Sequence, residues 1–424
     1  MKILYVVHEM PWKEFSGTPL ITEQYAKESI NNGLEAAIVT PTFEKLDFSK
    51  QKPKLINNIK FFKWPAIENW NMDAFDYDDF KKDTNFFIPY SPDIVHIVDW
   101  INFSPSILKA LKKLNVPIIK HTYNLEEFCY FVSPIYKNSD HTLCLSPLTP
   151  ENCAECISSN KLKDQKFFER IKSNISNEKS KILNANTKKL NNRNEIVLKQ
   201  TEDYYDYLLF PSKPFADYYF SHCKTKKPFS VEFPGIEKKK YSKKNENNKK
   251  LKCIYTGGAN LRKGWKVIEE VFDKLLKEYP DKIELKIYGH KKKTQKSKLK
   301  KHSSVKFFES FNPEKIAEIF SWADIGLAPT YFETYCRTVR EYILYGAVPI
   351  STNAFGIPEI ISSNKNGIII EKPYTQGLYE ILKKILTKPE MLVKMKDELK
   401  NTKIVSVDQE FNKIYKIYKS LKNL

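Results

Sequence analysis

Glu333 and Glu341 stand eight positions apart in PTYFETYCRTVREYILYGAVPIST, residues 329–352. The pattern predicts a strand ending at Pro329 and a loop carrying Glu333. A helix should follow from near Cys336 or Arg337 to Gly346, with Glu341 in its second turn. A helix start offers unbonded N–H groups and the positive end of the backbone dipole, which suit a diphosphate. Glu341 can accept two hydroxyl hydrogen bonds, as from a ribose, and Glu333 can reach a second polyol beside the phosphate. The stretch YTGGANLRKGWKVIEE (255–270) reads as strand, glycine-bearing loop and helix. Gly257 and Gly258 allow close backbone approach. Arg262 and Lys263 stand at the helix entrance, where two cations can neutralise a departing diphosphate. The Walker spacing G-x-x-x-x-G-K-[ST] is absent. On spacing alone, both stretches also fit ordinary solvated charges at helix starts and in loops.

Four cysteines form a separate constellation: Cys129, Cys144, and the pair Cys153 and Cys156 in C-A-E-C. Four thiolates suit a structural zinc ion, which favours sulfur, with an iron–sulfur cluster as the second choice. Buried thiols, or a disulfide in an oxidising compartment, are the other readings. Cys223, Cys253 and Cys336 read as plain thiols.

These residues need a scaffold, and the chain predicts a parallel one. Residues 2–7 and 35–40 read as strands around a helix at 22–33, and 93–100 and 116–122 repeat the pattern around a helix at 103–114. Residues 157–200, rich in Lys, Asn and Ser, read as a helical insertion. A strand at 206–212 resumes the sheet. A second βα series runs from 251 to 352. The expected class is α/β, two Rossmann-like domains facing across a cleft. The first spans 1–236, a basic linker 237–250, the second 251–405, and a terminal helix within 406–424 crosses back to the first domain. The 424 residues suffice for two or three domains. No apolar run is long enough to span a bilayer, and the sparse, odd cysteine count suggests a reducing, cytoplasmic setting. Much of the net charge of +19 lies in the Lys runs 237–250 and 290–302. These read as solvated loops or as attraction to an anionic membrane surface. They lack the Arg forks and aromatics of specific nucleic-acid binding.

Together the motifs resemble the retaining glycosyltransferases of family four, the glycosyl transferases group 1, with the GT-B fold. The matching pieces are the Lys263-Gly264 helix entry, Tyr288-Gly289, ADIGLAPTYFE (323–333), Glu333 and Glu341, Gly346-Ala347-Val348-Pro349 and GIPEII (356–361). MKILYVV with Gly17, SPDIVHIVDW and the strand ending in His121 agree more loosely. The resemblance implies that Glu341 binds the nucleotide ribose and that Glu333 holds the donor sugar near its transferring carbon. Lys263 would contact the diphosphate with Arg262. Backbone from Tyr335 and Cys336 through Arg337 and Thr338 would serve phosphates and sugar. Gly17 would let the first domain's loop approach the diphosphate, and His121 would sit opposite the donor sugar. The family usually has an Arg where this chain has Gly258, and Phe-Gly where it has Tyr335-Cys336. The implied activity is metal-independent, retaining transfer from a UDP-sugar, with a GDP-sugar second, to a glycan or lipid-linked acceptor. The protein would be cytoplasmic, peripheral at the inner membrane face. A nucleotide-sugar epimerase of the same fold and a non-catalytic sugar- or membrane-binding scaffold are the alternatives.

Overall fold

The computed structural model describes residues 1–10, 17–44, 52–66, 90–103, 106–125, 129, 144, 149–156, 184, 187–191, 194–195, 199, 201–240, 250–289, 297–372 and 374–422. Most of the expected insertion at 157–200, most of the linker and residues 290–296 of the second Lys run lie outside these residues. The chain divides into two units, Met1–Glu232 with Glu410–Leu424, and Phe233–Gln409. The first division thus falls four residues before the boundary the sequence suggests.

The first unit is built on β1 (Lys2–Val6), α1 (Gly17–Asn31), β2 (Glu35–Thr42), β3 (Lys54–Ile56), β4 (Ile59–Pro65), β5 (Ile94–Ile97), α2 (Ser106–Lys112), β6 (Ile118–His121), β7 (Tyr207–Phe210), α3 (Lys213–His222) and β8 (Phe229–Val231). Its sheet runs β3-β4-β2-β1-β5-β6-β7-β8, with only the β3–β4 pair antiparallel. Strands such as β1 (KILYV) and β5 (IVHI) are largely apolar rather than alternating because helices can cover both faces of a parallel sheet. Helix α1 starts five residues before the predicted 22, so Gly17 is its first residue rather than part of a loop. Trp64 is in the core.

The second unit contains β9 (Leu251–Tyr255), α4 (Trp265–Glu278), β10 (Ile283–Ile287), β11 (Val305–Phe307), α5 (Ile316–Ser321), β12 (Ile325–Ala328), α6 (Arg337–Leu344), β13 (Val348–Thr352), β14 (Ile368–Ile370), α7 (Tyr374–Thr387) and α8 (Glu390–Leu399). Its wholly parallel sheet runs β11-β10-β9-β12-β13-β14. Each sheet therefore reverses its winding once, between β1 and β5 in the first and between β9 and β12 in the second. Such reversal points open a crevice at the carboxyl ends of the strands, where ligands bind in open α/β sheets.

The terminal helix α9 (Val407–Lys422) places Phe411, Ile414, Tyr418 and Leu421 in the first unit's core beside Tyr5, Tyr25 and Ile94. The 3–4 spacing puts these side chains on one stripe. Polar contacts add to the apolar ones. Tyr418 Oη bonds His96 Nδ1 at 2.6 Å, and Tyr25 Oη donates to the buried Glu410 carboxylate.

Candidate functional site

The reversal point of the second sheet is where the predicted residues converge. β9 and β12 pair through Ile325↔Cys253, Gly326↔Ile254 and Leu327↔Tyr255, so the loops leaving their carboxyl ends emerge side by side. These loops are fastened to each other. Tyr331 N donates to Arg262 O at 2.9 Å, and Thr330 Oγ1 donates to the same oxygen at 3.1 Å. Gly264 makes this approach possible: its φ is +85°, and a Cβ there would lie 2.0 Å from Pro329 O. The base of the second loop is held by Thr352 Oγ1 donating to Thr330 O at 2.6 Å and Ser351 Oγ donating to Ala328 O at 2.7 Å.

This fastening brings Lys263, at the end of a 3₁₀ turn (Leu261–Lys263), against Glu333, and Nζ donates to the Glu333 carboxylate. One turn into α6, Arg337 Nε donates to Glu341 Oε1 at 2.6 Å. Both acidic residues are thus paired with a cation from the predicted set. Burial and then the neighbouring Arg262 pull the Lys263 ammonium down to about 8. The Glu333 carboxylate in contact with it works in the opposite sense. Burial lowers the Arg262 pKa as well. Glu341 is 7% exposed, and its carboxylate oxygen is paired with Arg337 rather than left to water.

Cys336 caps α6 in a left-handed conformation, φ 59° and ψ 72°. For a residue with a Cβ this costs about 1–2 kcal/mol. The thiol is buried, which raises its pKa, while Lys263 acts to lower it. Tyr335 is tied down from several directions. Its Oη donates to Pro234 O, its carbonyl accepts from Arg340 Nη1, and the Arg340 guanidinium lies 3.6 Å over its ring. Arg340 also donates from Nη2 to Gly356 O at 3.0 Å. Thr338 follows half-buried in the first turn. Gly258 has φ +55°, and a Cβ there would lie 2.3 Å from Gly289 O, so this position accepts no side chain.

Arg340 was not anticipated. Its only sequence signal is a charged residue at a helix position whose neighbours Val339 and Ile343 face the core.

The remaining predicted residues belong to the first unit. His121 has no exposed surface. It stacks 4.0 Å from Tyr123 and 5.6 Å from His96, and neither ring nitrogen has a hydrogen-bond partner. Burial, then His96 and Lys120, hold its pKa well below the ordinary histidine range. Gly17 is exposed, with nothing within 4 Å of where a Cβ would be. The four cysteines are half-buried and form no disulfide. Tyr218 Oη donates to Cys144 O at 2.6 Å, and after burial the charges of Cys144, Cys129 and Cys153 push its phenol up. Among the described residues, however, no three His, Cys, Asp or Glu side chains are arranged to share a metal ion.

The model of the glycosyl transferases group 1 matches residues 237–402. No curated protein matches the chain. HepE of Anabaena, solved with UDP and glucose, superposes with a TM-score of 0.62 at 12% identity, covering 99% of this chain and 100% of that one. Sucrose-phosphate synthase of Thermosynechococcus elongatus gives 0.67 at 12% identity, covering 99% and 98%. A glycosyltransferase of Rickettsia africae gives 0.61 at 15% identity, covering 99% and 98%. The two parallel-sheet units have the GT-B fold of these structures, and residues 237–402 match the model of the glycosyl transferases group 1.

Proposed function

We propose that the protein is a retaining glycosyltransferase that moves a sugar from a UDP-sugar, in preference to a GDP-sugar, to a glycan or lipid-linked acceptor. The observation that carries this reading is the convergence of Lys263, Glu333, Arg337 and Glu341 at the reversal point of a parallel sheet. As the sugar–phosphate bond breaks, positive charge develops at the anomeric carbon and negative charge on the diphosphate. Lys263, Arg262 and the N–H groups of Arg337 and Thr338 at the start of α6 stabilise the diphosphate. Glu341 receives the ribose hydroxyls and Glu333 the sugar. Both glutamates must exchange their present cations for ligand, so binding re-pairs charges that are already in place. HepE, solved with UDP and glucose, has the same fold and supports the choice of UDP.

Catalysis in this reading needs no metal, because cationic side chains neutralise the leaving group. A structural zinc ion on Cys129, Cys144, Cys153 and Cys156 rests on the chemistry of four thiols, of which Cys144, Cys129 and Cys153 all act on the Tyr218 phenol. Metal analysis of freshly purified protein tests it. None of the described helices is long and apolar enough to cross a membrane. The peripheral, cytoplasmic placement rests on the Lys runs. The deciding experiment incubates the protein, with a chelator present, with a panel of nucleotide sugars. Free UDP or GDP supports transfer, sugar conversion with the nucleotide retained supports an epimerase, and binding without turnover supports a scaffold. Strict dependence on added Mg²⁺ or Mn²⁺ overturns the metal-independent mechanism.

A further inference from the structure

Helix α6 carries a buried cation that the reading above does not use. Arg340 is 3% exposed, on the same short helix as Val339 and Tyr342, which have no exposed surface. A charge taken out of water must find hydrogen-bonding partners. The guanidinium finds them in two different loops. Nη1 donates to Tyr335 O, in the loop that leaves β12, and Nη2 donates to Gly356 O at 3.0 Å, in the loop that leaves β13. β12 and β13 are parallel neighbours, so both loops leave the same end of the sheet. The guanidinium also lies 3.6 Å over the Tyr335 ring. Tyr335, Cys336 and Glu359 act to keep the group charged against its burial.

Both bonds fall beside strained backbone. Cys336, directly after Tyr335, has φ +59°, and Phe355, directly before Gly356, has φ +32°. Residues with a Cβ avoid this left-handed region and keep it only where their surroundings enforce it. The consequence for Cys336 follows from the peptide plane. In a trans peptide the carbonyl and the N–H point in opposite directions, so Arg340, by holding Tyr335 O, turns Cys336 N–H away from itself. Arg337, the next residue, is helical. A left-handed residue followed by a helical one turns successive N–H groups to one side, and such a nest binds anions. Here those groups belong to Cys336, Arg337 and Thr338. At the other corner, the Phe355 ring stands edge-on to Phe332 at 5.5 Å, and Phe332 is the residue before Glu333. Glu333 therefore sits between Phe332, packed at one end of the clasp, and Tyr335, bonded at the other.

We infer that Arg340 is a positioning residue for sugar transfer, whose two loop bonds hold Cys336 N–H in one diphosphate cradle with the N–H groups of Arg337 and Thr338. This inference rests on the transfer reading and adds to it the side chain that shapes the diphosphate site. Arg340 is buried and acts through the backbone it holds, not by touching the donor. The clasp also accounts for a left-handed turn at Cys336, where the family usually has Gly. A lysine at this position would keep the charge, but its single ammonium lacks the planar fork that bonds two carbonyls at once and stacks on a ring.

The test uses the full chain with UDP and with uridine, which keeps the base and ribose but has no phosphate. GDP and guanosine replace them if the nucleotide-sugar panel selects GDP. Arg340→Lys should weaken UDP binding about 10-fold or more by calorimetry, while uridine binding, followed by NMR, stays within about twofold. Nucleotide release from the donor should fall about 30-fold or more in kcat. A merely structural role would weaken UDP and uridine alike, or lower only the melting temperature. Either result, or UDP affinity within about twofold of wild type, overturns the inference and leaves the transferase reading standing. A second measurement needs no variant. Tyr335-Cys336 is the only Tyr-Cys pair in the sequence, so nitrogen-15 cysteine combined with carbonyl-labelled tyrosine picks out the Cys336 amide alone. In the wild type that amide signal should move on adding UDP and stay in place on adding uridine. A signal unmoved by saturating UDP overturns the inference, even if Arg340→Lys does not fold. A wild type that binds neither UDP nor GDP overturns this inference and the transfer reading together.

Discussion

Replacing Glu333 by Gln separates two roles that the unliganded structure superimposes. In that structure the Glu333 carboxylate occupies the Lys263 ammonium that is proposed to meet the diphosphate. The Lys263 side chain is 34% exposed and that of Glu333 15%, so the pair lies between a surface ion pair and a buried one. A surface pair is worth at most about 1 kcal/mol, and breaking a buried one costs about 3–5 kcal/mol. Part of that buried cost is the stranded charge, which Gln does not leave behind. We therefore take about 1 kcal/mol as the competition that Glu333→Gln removes, and UDP should bind this variant about 5-fold more tightly. Turnover of a UDP-sugar should nevertheless fall at least 10-fold, about 1.4 kcal/mol of barrier, because the group proposed to hold the sugar is gone. Lys263→Ala should weaken UDP binding and lower turnover, each by at least 10-fold. Calorimetry with UDP at low salt and a UDP-release assay read the two quantities separately. The pH dependence has a fixed sign. Lys263 binds an anion only when protonated, and its ammonium titrates near 8, so wild-type UDP affinity should decline as pH rises through 8. Glu333→Gln should move that decline to lower pH, since the carboxylate favours the ammonium. Weaker UDP binding in Glu333→Gln, or full affinity in Lys263→Ala, would refute the reasoning.

Three further outcomes follow from the packing around the site. Gly264→Ala places a Cβ 2.0 Å from Pro329 O at φ +85°, so it should unfasten the two loops and lower thermal stability by several degrees with loss of UDP binding. Cys336→Gly relieves a left-handed conformation at the start of α6 and removes a small buried side chain, so stability in urea should change by less than about 1 kcal/mol, and UDP should still bind. Asp273→Asn removes a carboxylate bonded to Lys277, Lys301 and His302. Those partners, Lys277 first, hold its pKa below the ordinary value, so its contribution is present above about pH 4 and lost as pH falls below that. The variant should lose about 1 kcal/mol at pH 7 and match the wild type in strong acid, as read by urea denaturation at both pH values.

The sequence determined those elements whose physics is local. Continuous apolar runs such as KILYV and IGLA make parallel strands, and the terminal spacing of Phe411, Ile414, Tyr418 and Leu421 makes one buried stripe whatever it packs against. The placing of Glu341 one turn inside α6, across from Arg337, follows from helical geometry alone. What the tertiary structure decided depends on which strands become neighbours, and no local pattern carries that. Lys263 meets Glu333 only because β9 and β12 pair and Gly264 lets their loops touch. His121 ends a strand in a way that suggested a site, but the stacking of Tyr123, Tyr25 and His96 buries it. His8 and Asp99 are 91 positions apart, and the winding of the first sheet sets them side by side. A period of two or of 3.6 residues is written within a dozen positions, whereas the pairing of distant strands is fixed by the burial of the whole sheet.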